Sequence, residues 1–279
     1  MNTLYLEPCA GLGNRMLALL SGYALAKKND YHLTVIWKRE APCNCPIEKL
    51  FSLPDDVDVI SIYEHNRFKY PVRNYCGRCK KKRLINKCVK FIECGEADQI
   101  FQKNGVEAVD QILEGNIYLK SFGIFYDWGD LKINELIKPV EKIQILLDRL
   151  RENILENHVV GVHIRRTDHA QAIQNSPVEL FVKKMDELLD QCDGFYLATD
   201  DASVKAEMRQ RYGLKIVTYD CNMKRDSVQG IVDAFIDLYM LGSCKEIIGS
   251  YGSTFSRVAA MLNNIPLQII VDYEMEGEQ

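Results

Sequence analysis

Val159-Val160-Gly161-Val162-His163-Ile164-Arg165-Arg166-Thr167-Asp168 decides how this chain is read. Its first six residues are mostly β-branched and apolar, the composition of a strand covered on both faces. The last four are charged or hydroxylic and form a loop at the strand's C-terminal end. The same grammar recurs downstream, where Phe195-Tyr196-Leu197-Ala198-Thr199 runs into Asp200-Asp201. Further strands are expected near 215–218, 246–248 and 267–271, alternating with helices near 228–241 and 254–262. Another helix opens at Ser176-Pro177-Val178-Glu179, with Ser176 as cap, Pro177 in the first position and Glu179 completing a capping box. Strands that alternate with helices predict a doubly wound α/β domain with a parallel sheet, which takes its ligands beyond the carboxyl ends of the strands.

Working outward, the N-terminal end repeats the pattern once. Leu4-Tyr5-Leu6 is a short strand, Gly11-Leu12-Gly13-Asn14 a turn in which Asn14 can cap a helix over 15–28, and Leu33-Thr34-Val35-Ile36-Trp37 a second strand. That is one βαβ unit. Residues 38–131 are less regular and broken by Pro42, Pro46, Pro54 and Pro71. Apolar residues at Ile137, Val140, Ile143, Leu147, Leu150 and Ile154 then mark an amphipathic helix. The division expected is a domain over 1–140, with a basic cysteine-containing insert at about 67–94, and a second domain over 141–279.

Composition bounds the function. With 47% hydrophobic and 27% charged residues in 279, the chain can bury a real core and is not a disordered polymer. A formal net charge of −4 argues against a protein that coats nucleic acid. No apolar run approaches the roughly 18 residues that cross a bilayer, and Met1-Asn2-Thr3 has no signal-peptide character. The expectation is a cytoplasmic protein whose ten cysteines are reduced thiols or metal ligands rather than a disulfide scaffold.

Several groups could carry chemistry. Adjacent Arg165 and Arg166 at a strand's C-terminal edge make an anion site, because the planar guanidinium holds two phosphate oxygens and keeps its charge; the plain alternative is a salt bridge to Asp168. Asp200 and Asp201 can accept sugar hydroxyls or cap the next helix. Asp233 and Asp237 lie four apart on a helical face lined by Ile, Phe and Leu, and a carboxylate there can accept both N–H groups on one edge of guanine. Ser250-Tyr251-Gly252-Ser253-Thr254 ends an apolar strand and opens a helix, which makes either an anion cradle or an ordinary cap. Gly11-Leu12-Gly13 falls short of a dinucleotide fingerprint, since Met16 stands where a small residue is needed. Glu7 precedes that turn. Asp56-Val57-Asp58 matches a metal-holding D-x-D triplet, a pattern common by chance. Cys76, Cys79, Cys88 and Cys94 are irregularly spaced for zinc. From Arg67 to Lys90 there are ten Lys or Arg residues and no acid, interleaved with Phe68, Tyr70 and Tyr75; this suits either a solvated loop or contact with an anionic membrane surface.

The segments His163-Ile164-Arg165-Arg166-Thr167-Asp168, Tyr196-Leu197-Ala198-Thr199-Asp200-Asp201 and Ser253-Thr254-Phe255-Ser256-Arg257-Val258-Ala259 resemble, in order, the three motifs of the GDP-fucose fucosyltransferases. The first looks most like the α1,6 enzymes, whereas Gly11-Leu12-Gly13-Asn14 and Asp237-Leu238-Tyr239 look more like the α1,2 enzymes. The resemblance covers residues 4–37 and 159–271. It implies the GT-B arrangement of two facing Rossmann-like domains with parallel sheets: an acceptor-side domain at the N terminus and a donor domain at the C terminus. It further implies inverting transfer of fucose from GDP-fucose to an oligosaccharide or lipid-linked glycan, with no metal and no cofactor. By the same resemblance Arg165 would bind the β-phosphate of the donor, and His163, Arg166 and Asp168 would shape its pocket. Asp200 and Asp201 would sit by the nucleotide, Asp233 would read guanine, and Ser253 and Thr254 would contact phosphate. Gly11, Gly13 and Asn14 would form the acceptor-side turn. The chain departs from its α1,6 relatives where they carry a glutamate, in His169-Ala170-Gln171-Ala172-Ile173-Gln174. It also has Phe181 for a tyrosine and Thr254 for a glutamine. The base is therefore open between Glu7, His169 and a dissociative path without one. A nucleotide-sugar-binding protein without transfer, and a transferase using another GDP-sugar such as GDP-mannose, are the alternatives.

Overall fold

A computed structural model describes residues 1–63, 83–111, 113–167, 170–220, 224 and 226–272. The chain divides into two compact units, 1–140 with 224–232, and 141–223 with 233–279. Residues 224–232, read from the sequence as part of the C-terminal domain, thus cluster with the first unit.

The first unit is built on a five-stranded sheet. Its members are β1 (Thr3–Pro8), β2 (His32–Arg39), β4 (Val57–Tyr63), β5 (Lys90–Ile92) and β6 (Ile117–Ser121), and a short β3 (Phe51–Ser52) pairs antiparallel with β7 (Lys138–Pro139) outside it. The sheet order is β4-β2-β1-β6-β5, with every neighbouring pair parallel. The irregular middle of the sequence therefore supplies three strands of an ordinary sheet. On one face, Ile36, Ile62 and Tyr118 form a core against Tyr5, Ile60, Leu84 and Phe91. The helix Leu12–Lys28 packs against β1 and β2. It starts at Gly11, earlier than the Asn14 cap expected, and no side chain caps it. Gly11 is extended there (φ −71°, ψ 170°) and its carbonyl already accepts from the Arg15 N–H at 3.0 Å, so Asn14 falls inside the first turn.

The second unit carries β8 (Val159–Ile164), β9 (Gly194–Thr199), β10 (Ile216–Val217), β11 (Glu246–Ser250) and β12 (Leu267–Ile270) in the order β10-β9-β8-β11-β12, again all parallel. Every residue of β8 and β9 is buried, which is why both read as unbroken apolar runs. Val160, Val162, Ile164, Phe195 and Leu197 pack with Phe181 and Met185 of the helix Val178–Leu188 and with Met208 of the helix Ala202–Tyr212. The chain runs outward from β8 through β9 to β10, then returns to lay β11 on the other flank of β8. The crevice between the C-terminal ends of β8 and β11 is the topological switch point, where a sheet of this kind receives ligands.

Two local expectations fail for physical reasons. The helix expected to begin near Ile137 runs from Glu141 to Leu155, because Lys138, pushed out of the helical region by the proline that follows it, forms β7 with Pro139 against β3. Ser176 does not cap the helix that follows: Pro177 is the N-cap, while the Ser176 hydroxyl donates to the Ile270 carbonyl of β12 and accepts the Tyr251 N–H at 2.9 Å.

The helix Thr254–Asn263 is placed by Gly242. A Cβ there would stand 2.6 Å from the Ala259 carbonyl oxygen and 2.8 Å from Leu262 Cδ1, and the Gly242 carbonyl accepts from Asn263 Nδ2 at 2.7 Å. Since a backbone oxygen cannot step aside as a side chain can, Gly242→Ala is expected to lower stability by about 1–3 kcal/mol. Urea denaturation measures it; a midpoint equal to wild type would show that the two segments separate freely.

Candidate functional site

In the second unit the loop Arg165-Arg166-Thr167 leaves the end of β8 and is held from both sides. On the β9 side one carboxylate organises it. Asp200 Oδ1 accepts the Arg166 N–H at 2.7 Å, and Asp200 Oδ2 accepts the Thr167 hydroxyl at 2.9 Å and lies 3.3 Å from Arg165 Nε. On the β11 side Ser250, fully buried, accepts the Arg165 N–H at 2.9 Å and donates to the His163 carbonyl at 3.2 Å. The two arginines diverge. Arg166 turns inward, its Nη2 donating to the Ser176 carbonyl at 2.6 Å and its Nη1 to the Arg165 carbonyl at 3.2 Å; burial pushes its pKa down. Arg165 keeps 14% of its side chain exposed beside Asp200. The cation placed at the switch point is therefore Arg165, and Arg166 braces the loop beneath it.

The neighbouring acids split in the same way. Asp201 caps the helix Ala202–Tyr212, its Oδ1 accepting the Ser203 N–H at 2.8 Å and the Val204 N–H at 3.3 Å; the Ser203 hydroxyl, which donates to the same oxygen at 2.5 Å, and then these N–H bonds hold its pKa below the ordinary value. Of the two readings open for Asp201, the structure displays the cap. Asp237 accepts the Tyr196 hydroxyl at 2.5 Å, and Asp233 accepts the Tyr219 hydroxyl at 3.4 Å; both are buried on the helix Val228–Leu241. Ser253 is the N-cap of the helix Thr254–Asn263 without bonding its hydroxyl to the helix, so no side chain caps the N–H groups of that first turn. Ser176, expected only as a helix cap, belongs to this site instead: its carbonyl holds Arg166 and its hydroxyl ties the Tyr251 loop to β12.

His163 lies one step further in. Its ring packs on Phe255 with centroids 4.9 Å apart, and its Nδ1 is buried without a hydrogen-bond partner. Burial first, then the positive charge of Arg165, pushes its pKa down to about 3. The ring is therefore neutral at physiological pH.

In the first unit the switch point lies between β1 and β6. Glu7, at β1's end, is only 1% exposed and accepts the Tyr118 hydroxyl, whose own pKa is raised by burial and by that carboxylate. The turn beyond it is open: a Cβ at Gly11 would meet nothing within 4 Å. Gly13 is buried and Asn14 half-buried. Just below sits Arg15, fully buried, with Nε donating to the Ala10 carbonyl at 2.9 Å, Nη1 to the Lys38 carbonyl at 2.7 Å, and its guanidinium 4.9 Å over Trp37. Nothing in the sequence singled it out, because a lone arginine on a leucine-rich helix reads as surface.

Asp168, His169, Cys76 and Cys79 lie outside the described residues. The D-x-D triplet is taken apart at the N-terminal end of its sheet, where Asp56 pairs with Lys27 and Asp58 with His32 at 2.8 Å. Cys88 donates to the Leu84 carbonyl at 3.2 Å, while Cys94 faces Cys9. Among the described residues no group of three metal-ligating side chains could hold an ion, and no helix is long and apolar enough to cross a membrane.

Two parallel-sheet α/β units are thus seen, and the second places an arginine and an uncapped helix start, groups whose chemistry suits negative charge, at its switch point. Comparison with solved structures makes the fold specific: it is that of the GDP-fucose fucosyltransferases. The chain is similar to NodZ alpha-1,6-fucosyltransferase soaked with GDP-fucose, at 19% identity and a TM-score of 0.63 over 100% of this chain and 98% of that one. Fucosyltransferase NodZ from Bradyrhizobium matches at 18% identity and a TM-score of 0.60 over 94% of this chain and 93% of that one. POFUT1 in complex with GDP-fucose matches at 13% identity and a TM-score of 0.58 over 96% and 98%. No family model matches the sequence, and neither does any curated protein.

The titration of His163 can be read in stability. Above pH 6.5 the ring is neutral both folded and unfolded, and no difference arises. As pH falls from 6.5 toward about 3 the unfolded chain takes up a proton that the folded chain refuses, so stability is lost across that window. Relative to His163→Gln, the wild type is expected to lose up to about 4 kcal/mol between those limits. Denaturation curves across that range test it, and parallel pH profiles for the two proteins would contradict the buried neutral ring.

Proposed function

We propose that this protein transfers L-fucose from GDP-fucose to a hydroxyl of a glycan acceptor, with inversion at the anomeric carbon and without a metal ion. The fold supports the donor class. The observation that carries the reading is Arg165, seated at the β8–β11 switch point by Asp200 and Ser250 and flanked by the helix start at Ser253-Thr254. In such a transfer the bond from C1 of fucose to the β-phosphate oxygen breaks while an acceptor oxygen bonds C1 from the opposite face. The diphosphate gains negative charge as it leaves, and a guanidinium with helix N–H groups stabilises that charge where other enzymes use a divalent cation. Arg166 and Asp200 act by positioning. Asp233 is the proposed reader of guanine, with Tyr219 holding its carboxylate. The acceptor proton needs a destination, and Glu7 and His169 are the groups to test. The acceptor class is an oligosaccharide or a lipid-linked glycan. For the latter, the basic segment at 67–94 offers a peripheral contact with an anionic membrane surface.

Arg165→Ala is expected to lower kcat by about 10²–10³ while leaving the melting temperature nearly unchanged, since the backbone N–H bonds to Asp200 and Ser250 remain. Turnover is measured as GDP released from GDP-fucose in the presence of a mixed glycan acceptor pool. Near-normal turnover would refute the assignment of the leaving-group cation.

A nucleoside diphosphate panel tests the donor independently. GDP is expected to raise the melting temperature in the presence of a strong chelator, and ADP and UDP much less. A GDP effect that vanished on chelation would overturn metal independence, and equal effects of all three would overturn guanine reading.

One observation favours a second reading. The helix Ala170–Asn175 has Ile173, 44% exposed, in the stretch where the α1,6 enzymes have their glutamate. A nucleotide-sugar-binding protein without transfer would bind GDP-fucose tightly and release no GDP from any acceptor mixture; GDP-mannose assayed in parallel separates the remaining donor alternative.

A further inference from the structure

Two thiols meet at the ligand end of the first unit. Cys9 follows β1 and Cys94 follows β5, and these strands are not neighbours: β6 lies between them. Strands two places apart in a sheet are separated by roughly 9–10 Å. The two side chains nevertheless reach over the end of β6, and their sulfurs stand 3.1 Å apart. The backbone fixes this approach. The Cys9 N–H donates to the Ser121 carbonyl at 2.9 Å, and the Cys9 thiol leans on the same oxygen at 3.3 Å. Gly95, in the left-handed region at φ 87°, lets the chain turn from Cys94 directly into the helix Glu96–Asn104. Among the described residues no third metal-ligating side chain joins the pair to hold an ion.

We propose that Cys9 and Cys94 are a redox-active dithiol that closes to an intramolecular disulfide by exchange with a small-molecule disulfide, such as oxidised glutathione. The two thiols divide the work. Cys9 is 8% exposed, and burial, then the neighbouring Cys94 sulfur, pushes its pKa up to about 12, so it stays protonated in the reduced pair. Cys94 is half-buried and is the sulfur an oxidant reaches. The Cys94 thiolate attacks one sulfur of the small disulfide and expels one thiolate, leaving a mixed disulfide. The Cys9 sulfur, giving its proton to solvent, then attacks Cys94 Sγ and expels the second thiolate. The protein loses two electrons and two protons, and the small disulfide is reduced to two thiols. The new bond joins residues 85 positions apart and ties β1 to β5 across the switch point, at a position two residues from both Glu7 and Gly11. This inference does not depend on the proposed function, since its readout is covalent.

The test is to incubate the full chain with oxidised glutathione, quench with acid, and map tryptic peptides without reduction. The peptide 1–15 contains Cys9 alone and the peptide 91–103 contains Cys94 alone, so their linkage is unambiguous. The expected result is a 1–15/91–103 pair lighter by two hydrogens than the sum of its parts. The melting temperature should rise with oxidation, fall back with dithiothreitol, and show no such rise in Cys9→Ser or Cys94→Ser. Glutathione retained on Cys94 without the cross-link, or neither thiol lost after prolonged exposure, would overturn the proposal. Mapping on the wild-type chain decides it even where a serine variant folds poorly.

Discussion

The loop after β8 depends on the carboxylate of Asp200. Three groups from three consecutive residues converge on it: the Arg165 guanidinium, the Arg166 N–H and the Thr167 hydroxyl. An ionised carboxylate offers about four acceptor positions, so one side chain can satisfy all three donors. The effect is to turn a flexible loop into a placed one. Arg165 carries several rotatable bonds, and a charge meant to meet a ligand is useful only if its position is settled beforehand. The Ser250 hydroxyl does the same from β11, so the loop is fixed by both strands that flank its own.

Two roles follow for the two arginines, and they follow from burial. A guanidinium left in the interior must spend its donors on carbonyls, as Arg166 does on Ser176 and Arg165. A guanidinium at the rim can keep its charge for a ligand. The pairing of Arg165 with Asp200 is compatible with this, because a diphosphate presents more charge than one carboxylate and the guanidinium has further N–H donors to offer it. On the proposed function the nucleotide would share Arg165 with Asp200 rather than displace it, and His163 beneath stays neutral, adding no second positive charge that would trap the product.

The C-terminal half was legible because β8 and β9 are buried on both faces, and such strands must be apolar throughout. The charged residues that end them then stand out at the ligand end of the sheet. In the middle of the chain one strand was hidden for the opposite reason. β5 is three residues long and half-buried for most of its length, so no periodicity could betray it. Caps failed where a longer-range partner won: Ser176 has the right neighbours for a capping box, but a β12 carbonyl and the Tyr251 N–H take its hydroxyl instead. Asp200 and Asp201 are the same residue type in adjacent positions, and only the strand geometry separates a loop latch from a helix cap. The Cys9–Cys94 approach lay beyond reading, since pairing across 85 residues leaves no local mark.

The two sheets use one winding rule with different chemistry at its turning point. In each, the chain lays down a central strand, builds outward on one flank, and returns to the other, leaving a crevice between β1 and β6 in one unit and between β8 and β11 in the other. The second crevice is edged by Arg165, Ser250 and a helix start, which favour negative charge. The first is edged by Glu7 under Tyr118, a thiol pair and the open turn at Gly11, with Arg15 sunk below it. Arg15 holds its charge on two carbonyls and an indole face, which ties the Ala10 turn to the end of β2 without offering that charge to solvent. A cation offered at one switch point and withheld at the other is what a protein needs if one unit is to hold a diphosphate and the other a neutral hydroxyl compound. The same topology thus leaves specificity to a handful of residues at strand ends.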